Sequence, residues 1–280
     1  MSRRKPKSSR GLHPFAILGL ARELRMAAHD ERPLVLGGAS TLVGLLQRGL
    51  TPREPSGSDL GSVRTGEPAG GALYVYLLAG DPGEPEERDL RAASRAGVPI
   101  VAVVPESLRG RQIPFVLATD VVVVERGEAM PVDRVAQAIA HRLGEAATPL
   151  AARLPVLRQA VCEELVRSFS LRSAITGAAT FVPGADMPVL TLNQVRLVGR
   201  IASAHGFDPR SDGAAELGAV VGTGFGFRTL ARTVLGLVPF AGWAIRSGIA
   251  YGGTRAVGEA AIRWFEERSA AASPGETTEV

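Results

Sequence analysis

Four short apolar runs, at residues 33–36, 73–78, 99–104 and 121–124, constrain this chain more than any other feature. Each is continuous rather than alternating, the pattern of a strand covered by other elements on both faces. Helical segments fall between them. Residues 41–50 form one, 84–96 a charged one closed by Gly97, and 132–143 a third with Val135, Ile139 and Leu143 on one face. That rhythm predicts a small parallel, doubly wound α/β domain over residues 32–147. Residues 51–71 are rich in Pro, Gly and Ser without periodicity, and read as a long loop.

Beyond Thr148 the character changes. Small residues dominate, no strand-like run follows, and helices are predicted at 154–171, 190–204, 213–238 and 242–267. The first carries Val161, Leu165 and Phe169 on a shared face. Residues 148–270 therefore read as a glycine-rich helical domain and 271–280 as a disordered tail. At the other end, residues 1–31 read as a basic tail (Arg3, Arg4, Lys5, Lys7, Arg10) with an amphipathic helix presenting Phe15, Leu18, Leu24 and Met26. The apolar run at 15–21 is too short for a signal peptide and runs straight into Arg22, Glu23 and Arg25. A basic leader of this kind is attracted to anionic lipid.

The chemistry that composition permits is narrow. The net charge of +4 is almost wholly arginine, with acids interleaved and no aromatic stacking platform, so nucleic acid is not an expected partner. Cys162 is the single cysteine, flanked by Val161 and Glu163, and reads as a buried, inert thiol in a reducing compartment. His13, His29, His141 and His205 are scattered, without metal-ligand spacing. There is no Gly-x-Ser-x-Gly elbow, and the glycines at 222–226 lack dinucleotide spacing. Glu86, Glu87, Glu163 and Glu164 read as solvated helix faces. No cofactor and no enzymatic activity are expected.

The turn after the first strand is Gly37-Gly38-Ala39-Ser40-Thr41. A phosphate-binding P-loop needs a longer glycine-rich loop, a lysine and a Ser or Thr for magnesium. Here Ala39 occupies the lysine position. The guanine-reading Asn-Lys-x-Asp is replaced by Pro105-Glu106-Ser107, and Asp59 and Asp81 stand at the wrong spacing for a magnesium-side Asp-x-x-Gly. With this strand-helix order, the first half resembles a degenerate Era-like GTPase domain stripped of its nucleotide contacts. Gly37, Gly38, Ser40 and Thr41 keep two readings: a weak anion site at a helix N-terminus, or a tight strand-to-helix turn.

In the helical half the apolar stretches stop early: 175–186 contains Pro183 and Gly184, 217–227 ends at Arg228, and 233–245 ends at Arg246. None approaches the roughly 18 apolar residues of a spanning helix. Gly218, Gly222 and Gly226 recur every fourth position, a smooth stripe for close helix approach. Pro183, Asp186, Gln194, Gly206, Pro239 in Leu237-Val238-Pro239, Gly242, Thr254, Gly258 and the aromatic end Trp264-Phe265 follow in order. Over residues 172–267 this pattern resembles the YcjF-type domain of unknown function, departing from it at Phe240, where the family carries glycine. Members of that family are often joined to, or encoded beside, Era-like GTPase domains. The resemblance implies a role in association, with Pro183, Asp186, Gln194, Gly218, Gly222, Gly226, Pro239, Gly242, Thr254 and Gly258 as packing or interaction positions.

These readings converge on a non-enzymatic, membrane-associated scaffold or regulator on the cytoplasmic side of a bacterial membrane. It would act through homo-oligomerisation or an Era-like GTPase partner, with the membrane surface or inner leaflet as its other contact. The competing expectation is a soluble cytoplasmic α/β protein binding a small anionic ligand or nucleotide at the Gly37 to Thr41 turn.

Overall fold

The computed structural model describes residues 30–51, 61–179, 187–207 and 243–272. Among these residues five parallel strands form one sheet: β1 (Leu34–Gly38), β2 (Val63–Thr65), β3 (Leu73–Leu77), β4 (Ile100–Pro105) and β5 (Val121–Val124). Their spatial order is β2-β1-β3-β4-β5. The four apolar runs are β1, β3 and β4, which lie inside the sheet, and β5, which forms an edge. β2 is a correction, since it lies within the stretch read as a loop. It pairs only with β1, setting Val63 against Leu34 and Thr65 against Leu36. With three residues, two of them exposed, it had no hydrophobic run to announce it.

Side chains alternate between two buried faces. Leu34, Leu36, Leu73, Val75, Leu77, Val101 and Val103 point to one, covered by Leu46 and Leu50 of α1 (Ser40–Leu50) and by Val135 and Ile139 of α3 (Val132–Leu143). Val35, Tyr74, Tyr76, Ile100, Ala102 and Val104 point to the other. There Leu90 and Ala93 of α2 (Glu84–Arg95) cover them, with Leu108 and Ile113 from the β4–β5 connection. Each fully buried Leu or Val contributes about 1.5–3 kcal/mol, which is why these runs have no polar alternation. The crossover from β2 to β3 has no helix. Gly66 N–H donates to Leu36 O, Ala72 N–H donates to Pro33 O, and the Arg64 guanidinium holds the carbonyls of Glu67 and Ala69.

The chain then continues through a 3-10 turn (Gly144–Ala147) into a short helix that the sequence did not announce, α4 (Thr148–Arg153). Among the described residues three long helices follow: α5 (Arg158–Ala179), α6 (Met187–Ala204) and α7 (Trp243–Ala272). α5 starts later and ends later than the predicted 154–171, and residues 155–157 are 3-10 rather than α. α7 extends past the predicted 267, so 271 and 272 are helical rather than tail. The predicted helices at 15–26 and 213–238 lie outside the described residues.

The sheet and the helical layer share one hydrophobic core. It passes from Leu36 and Val103 through Val135 and Ile139 to Leu157, Val161, Leu165 and Phe169 of α5, then to Leu197, Ile201 and Phe265. Polar links reinforce the junction. Arg153 of α4 donates to the carbonyls of Asp30, Glu31 and Arg32, and Glu145 pairs with Arg172 of α5 and Arg200 of α6. Among the described residues no helix is long and apolar enough to cross a membrane.

Candidate functional site

Two places in the fold bear on function: the carboxyl edge of the sheet and the seam between α5, α6 and α7. In an open parallel sheet, ligands bind outside the strand carboxyl ends where the strand order reverses. Here that point lies between β1 and β3, at the Gly37 to Thr41 turn.

The two glycines there have packing reasons to be glycine. A Cβ on Gly37 would overlap the Tyr74 hydroxyl and ring edge, so β1 lies directly against that phenol. Gly38 has φ +98 and sits against the Leu77 carbonyl, where a side chain would meet backbone. The amide of Ala39 donates to Leu77 O at 2.9 Å. Ser40 and Thr41 open α1 and are exposed. Burial, with Asp89 beside it, drives the Tyr74 phenol far above its ordinary value, so it stays a neutral hydroxyl. The rest of this edge is tied together by ion pairs: Asp81 with Arg111, Glu125 with Arg109, and Glu128 with Arg134. Glu106 also accepts from the Arg126 amide. Asp81 and Glu106, both at this edge of the sheet, are engaged with neighbouring protein groups.

The second place brings together residues far apart in sequence. Thr254 of α7 donates to Ser173 Oγ of α5 at 2.8 Å, and Asn193 of α6 donates to the same oxygen at 2.7 Å. Asn193 also reaches the Phe169 carbonyl at 3.0 Å, and Gln194 Nε2 lies 3.5 Å from Thr254 Oγ1. One turn further along α7, a Cβ on Gly258 would come within 2.5 Å of Val166 Cγ2 and 3.1 Å of Leu197 Cδ2. Gln194, Thr254 and Gly258 are thus gathered in the seam between the three helices. Pro183, Asp186, Gly218, Gly222, Gly226, Pro239 and Gly242 lie outside the described residues. Ser173 and Asn193 are the partners that sequence reasoning missed, because an isolated Ser or Asn in a helix reads as a surface residue.

Toward the sheet the seam becomes aromatic and titratable. His205 donates through Nδ1 to the Ile201 carbonyl, 3.0 Å away, and stacks on Phe265 with ring centroids 5.8 Å apart. Burial holds its imidazole below the ordinary value, opposed by the Ile201 hydrogen bond. Burial pushes the Cys162 thiol up to about 12, with Glu266 adding to the shift, so the thiolate is scarce at neutral pH. Among the described residues no cluster of His, Cys, Asp and Glu is arranged to hold a metal. Glu86 and Glu164 correct the reading of these acids as purely solvated faces. Glu86 accepts from the Gly83 amide at the start of α2, and Glu164 is half-buried between Arg167 and His141. No protein-family model matches this chain, and no curated protein matches it.

Proposed function

We propose that this protein is a non-enzymatic, membrane-associated scaffold or regulator whose working surface is the helical layer. The observation that carries this reading is the end of the α5–α6–α7 seam away from the sheet, where buried hydroxyls and amides bond helix to helix while Ile175, Val189 and Ile249 stay outside. In lipid, helices associate through close packing and interhelical hydrogen bonds, because apolar contacts gain nothing over the surrounding tails. The basic residues Arg3, Arg4, Lys5, Lys7 and Arg10 add an electrostatic attraction to the same surface. The resemblance to the YcjF-type domain, with an α/β half similar to an Era-like GTPase but lacking its lysine, supports a partner GTPase or a second copy as the protein contact.

Flotation of the purified full chain with phosphatidylcholine and phosphatidylglycerol vesicles tests the membrane role. The chain rises with the vesicles if the proposal is right, and stays at the bottom of the gradient if it is wrong. A second reading keeps one supporting observation, that the strand order reverses beside Gly38 and the α1 N-terminus. It is an anion-binding α/β protein, and calorimetry with GTP, ATP and phosphate tests it. Absence of heat at millimolar ligand removes it.

A further inference from the structure

The three long helices change character at a common level, marked by the hydrogen bonds of Ser173 with Asn193 and Thr254. On the sheet side of this level the helices carry charges: α5 up to Arg172, α6 from Arg196 onward, α7 from Arg255 onward. On the far side residues 173–179, 187–195 and 247–254 contain no charged residue. The α7 stretch rises about 12 Å before Arg246 closes it.

Within this band polar side chains at the centre bond to one another and several large aliphatic ones lie outside, although Leu190 is buried. Ser173, Asn193, Gln194 and Thr254 face inward and bond to one another. Ile175, Val189 and Ile249 lie outside at 61%, 54% and 37% exposure, with Leu171, at 51%, one turn before Ile175 at the edge of the band. Their directions diverge. At about 100° per residue, Leu171 and Ile175 lie roughly 160° around α5 from Ser173. Val189 and Ile249 lie roughly 140° from Gln194 and Thr254 on their own helices. Apolar groups pointing away from a shared centre on three helices fit a surrounding apolar medium better than one protein partner on one side.

We propose that this inside-out band is where the chain enters a lipid leaflet, to the headgroup–acyl boundary and no deeper, with Arg172 and Arg255 at headgroup level. The inference rests on the membrane association proposed above and specifies its location and depth. A band of about 12 Å matches interfacial insertion and falls well short of the roughly 30 Å hydrocarbon core. Arg172 and Arg255 keep their heads exposed beside Glu145 and Glu259, so their charge is matched locally. Insertion of the band therefore depends on apolar area rather than on anionic lipid, unlike attraction through the N-terminal basic residues.

The test uses the full chain with an environment-sensitive fluorophore (NBD) attached through Ile175→Cys, and separately through Arg263→Cys on the exposed, sheet-side part of α7. The native thiol Cys162 is buried, so labelling is confined to the introduced residue. On adding phosphatidylcholine vesicles, the 175 label shifts to the blue and brightens while the 263 label is unchanged. Replacing Leu171, Ile175, Val189 and Ile249 together by Gln lowers vesicle partitioning on the order of 100-fold at an unchanged thermal midpoint. If the chain sediments with vesicles while the 175 label stays water-like, the band is wrong and membrane association stands. If the 175 label is already blue without vesicles, residues 208–242 or a second copy cover the band and the inference is overturned. If the chain sediments with no vesicle, both this inference and the proposed function fall.

Discussion

Gly258 is the position where the packing argument is most exposed to test. It sits on α7 facing Val166 of α5 and Leu197 of α6, and an added Cβ would lie 2.5 Å from Val166 Cγ2, 3.3 Å from Val166 Cγ1 and 3.1 Å from Leu197 Cδ2. Val166 cannot swing clear, because β-branching leaves one favoured rotamer in a helix. Two effects therefore compete in Gly258→Ala. Helix propensity favours alanine by about 1 kcal/mol. Overpacking between three helices costs about 1–3 kcal/mol, and must push α7 off α5 or Val166 off its rotamer. The expected net change is a loss of about 1 kcal/mol, and Gly258→Val loses more. Gly252, two turns away on the same helix, has nothing within 4 Å of the same added atom. Gly252→Ala therefore gains about 0.4–1 kcal/mol from propensity and chain entropy alone. Urea denaturation of both variants, with unchanged m-values, reads the difference directly. If Gly258→Ala is stabilised as much as Gly252→Ala, the close approach of α5, α6 and α7 at this point is wrong.

Three further outcomes follow from the same seam. Thr254→Val removes the hydroxyl that donates to Ser173 and faces Gln194, and costs about 1–3 kcal/mol in thermal denaturation, while Thr254→Ser keeps the bonds and costs less. Cys162, with its thiol pushed up to about 12, reacts with Ellman's reagent at pH 8 only as fast as the chain unfolds; rapid native labelling would contradict its burial. His205 has a folded value below the ordinary 6.5, so the unfolded chain binds its proton first. Its contribution to stability is complete above about pH 6.5 and is lost as the pH falls from there through the folded value. The urea midpoint declines over that window, and His205→Leu removes that part of the slope.

The strands were legible because burial on both faces forces continuous apolar runs, and residues 73–77 and 100–104 have no polar interruption to mislead. β2 was not legible, because Val63–Thr65 is held by backbone pairing to β1 rather than by a hydrophobic face. The same physics hid the end of α5. Arg172 and Ser173 break its apolar periodicity, yet Ser173 continues the inward face as a hydrogen-bonded residue. Gln194, Thr254 and Gly258 were reached through a resemblance to a family pattern, and the fold gathers them, while Ser173 and Asn193, which complete the seam, carried no signal of their own. At the first turn the sequence left two readings of Gly37 and Gly38 open. The phenol of Tyr74 against one and the positive φ of the other give both glycines a packing reason that needs no ligand.

Membrane attachment through the helical layer, as proposed, is decided by fractionating cells that produce the native chain. The protein is expected to sediment with the membranes and to remain there through a high-salt wash, because apolar insertion is not screened by ions. Quantitative recovery in the soluble fraction without detergent would contradict it.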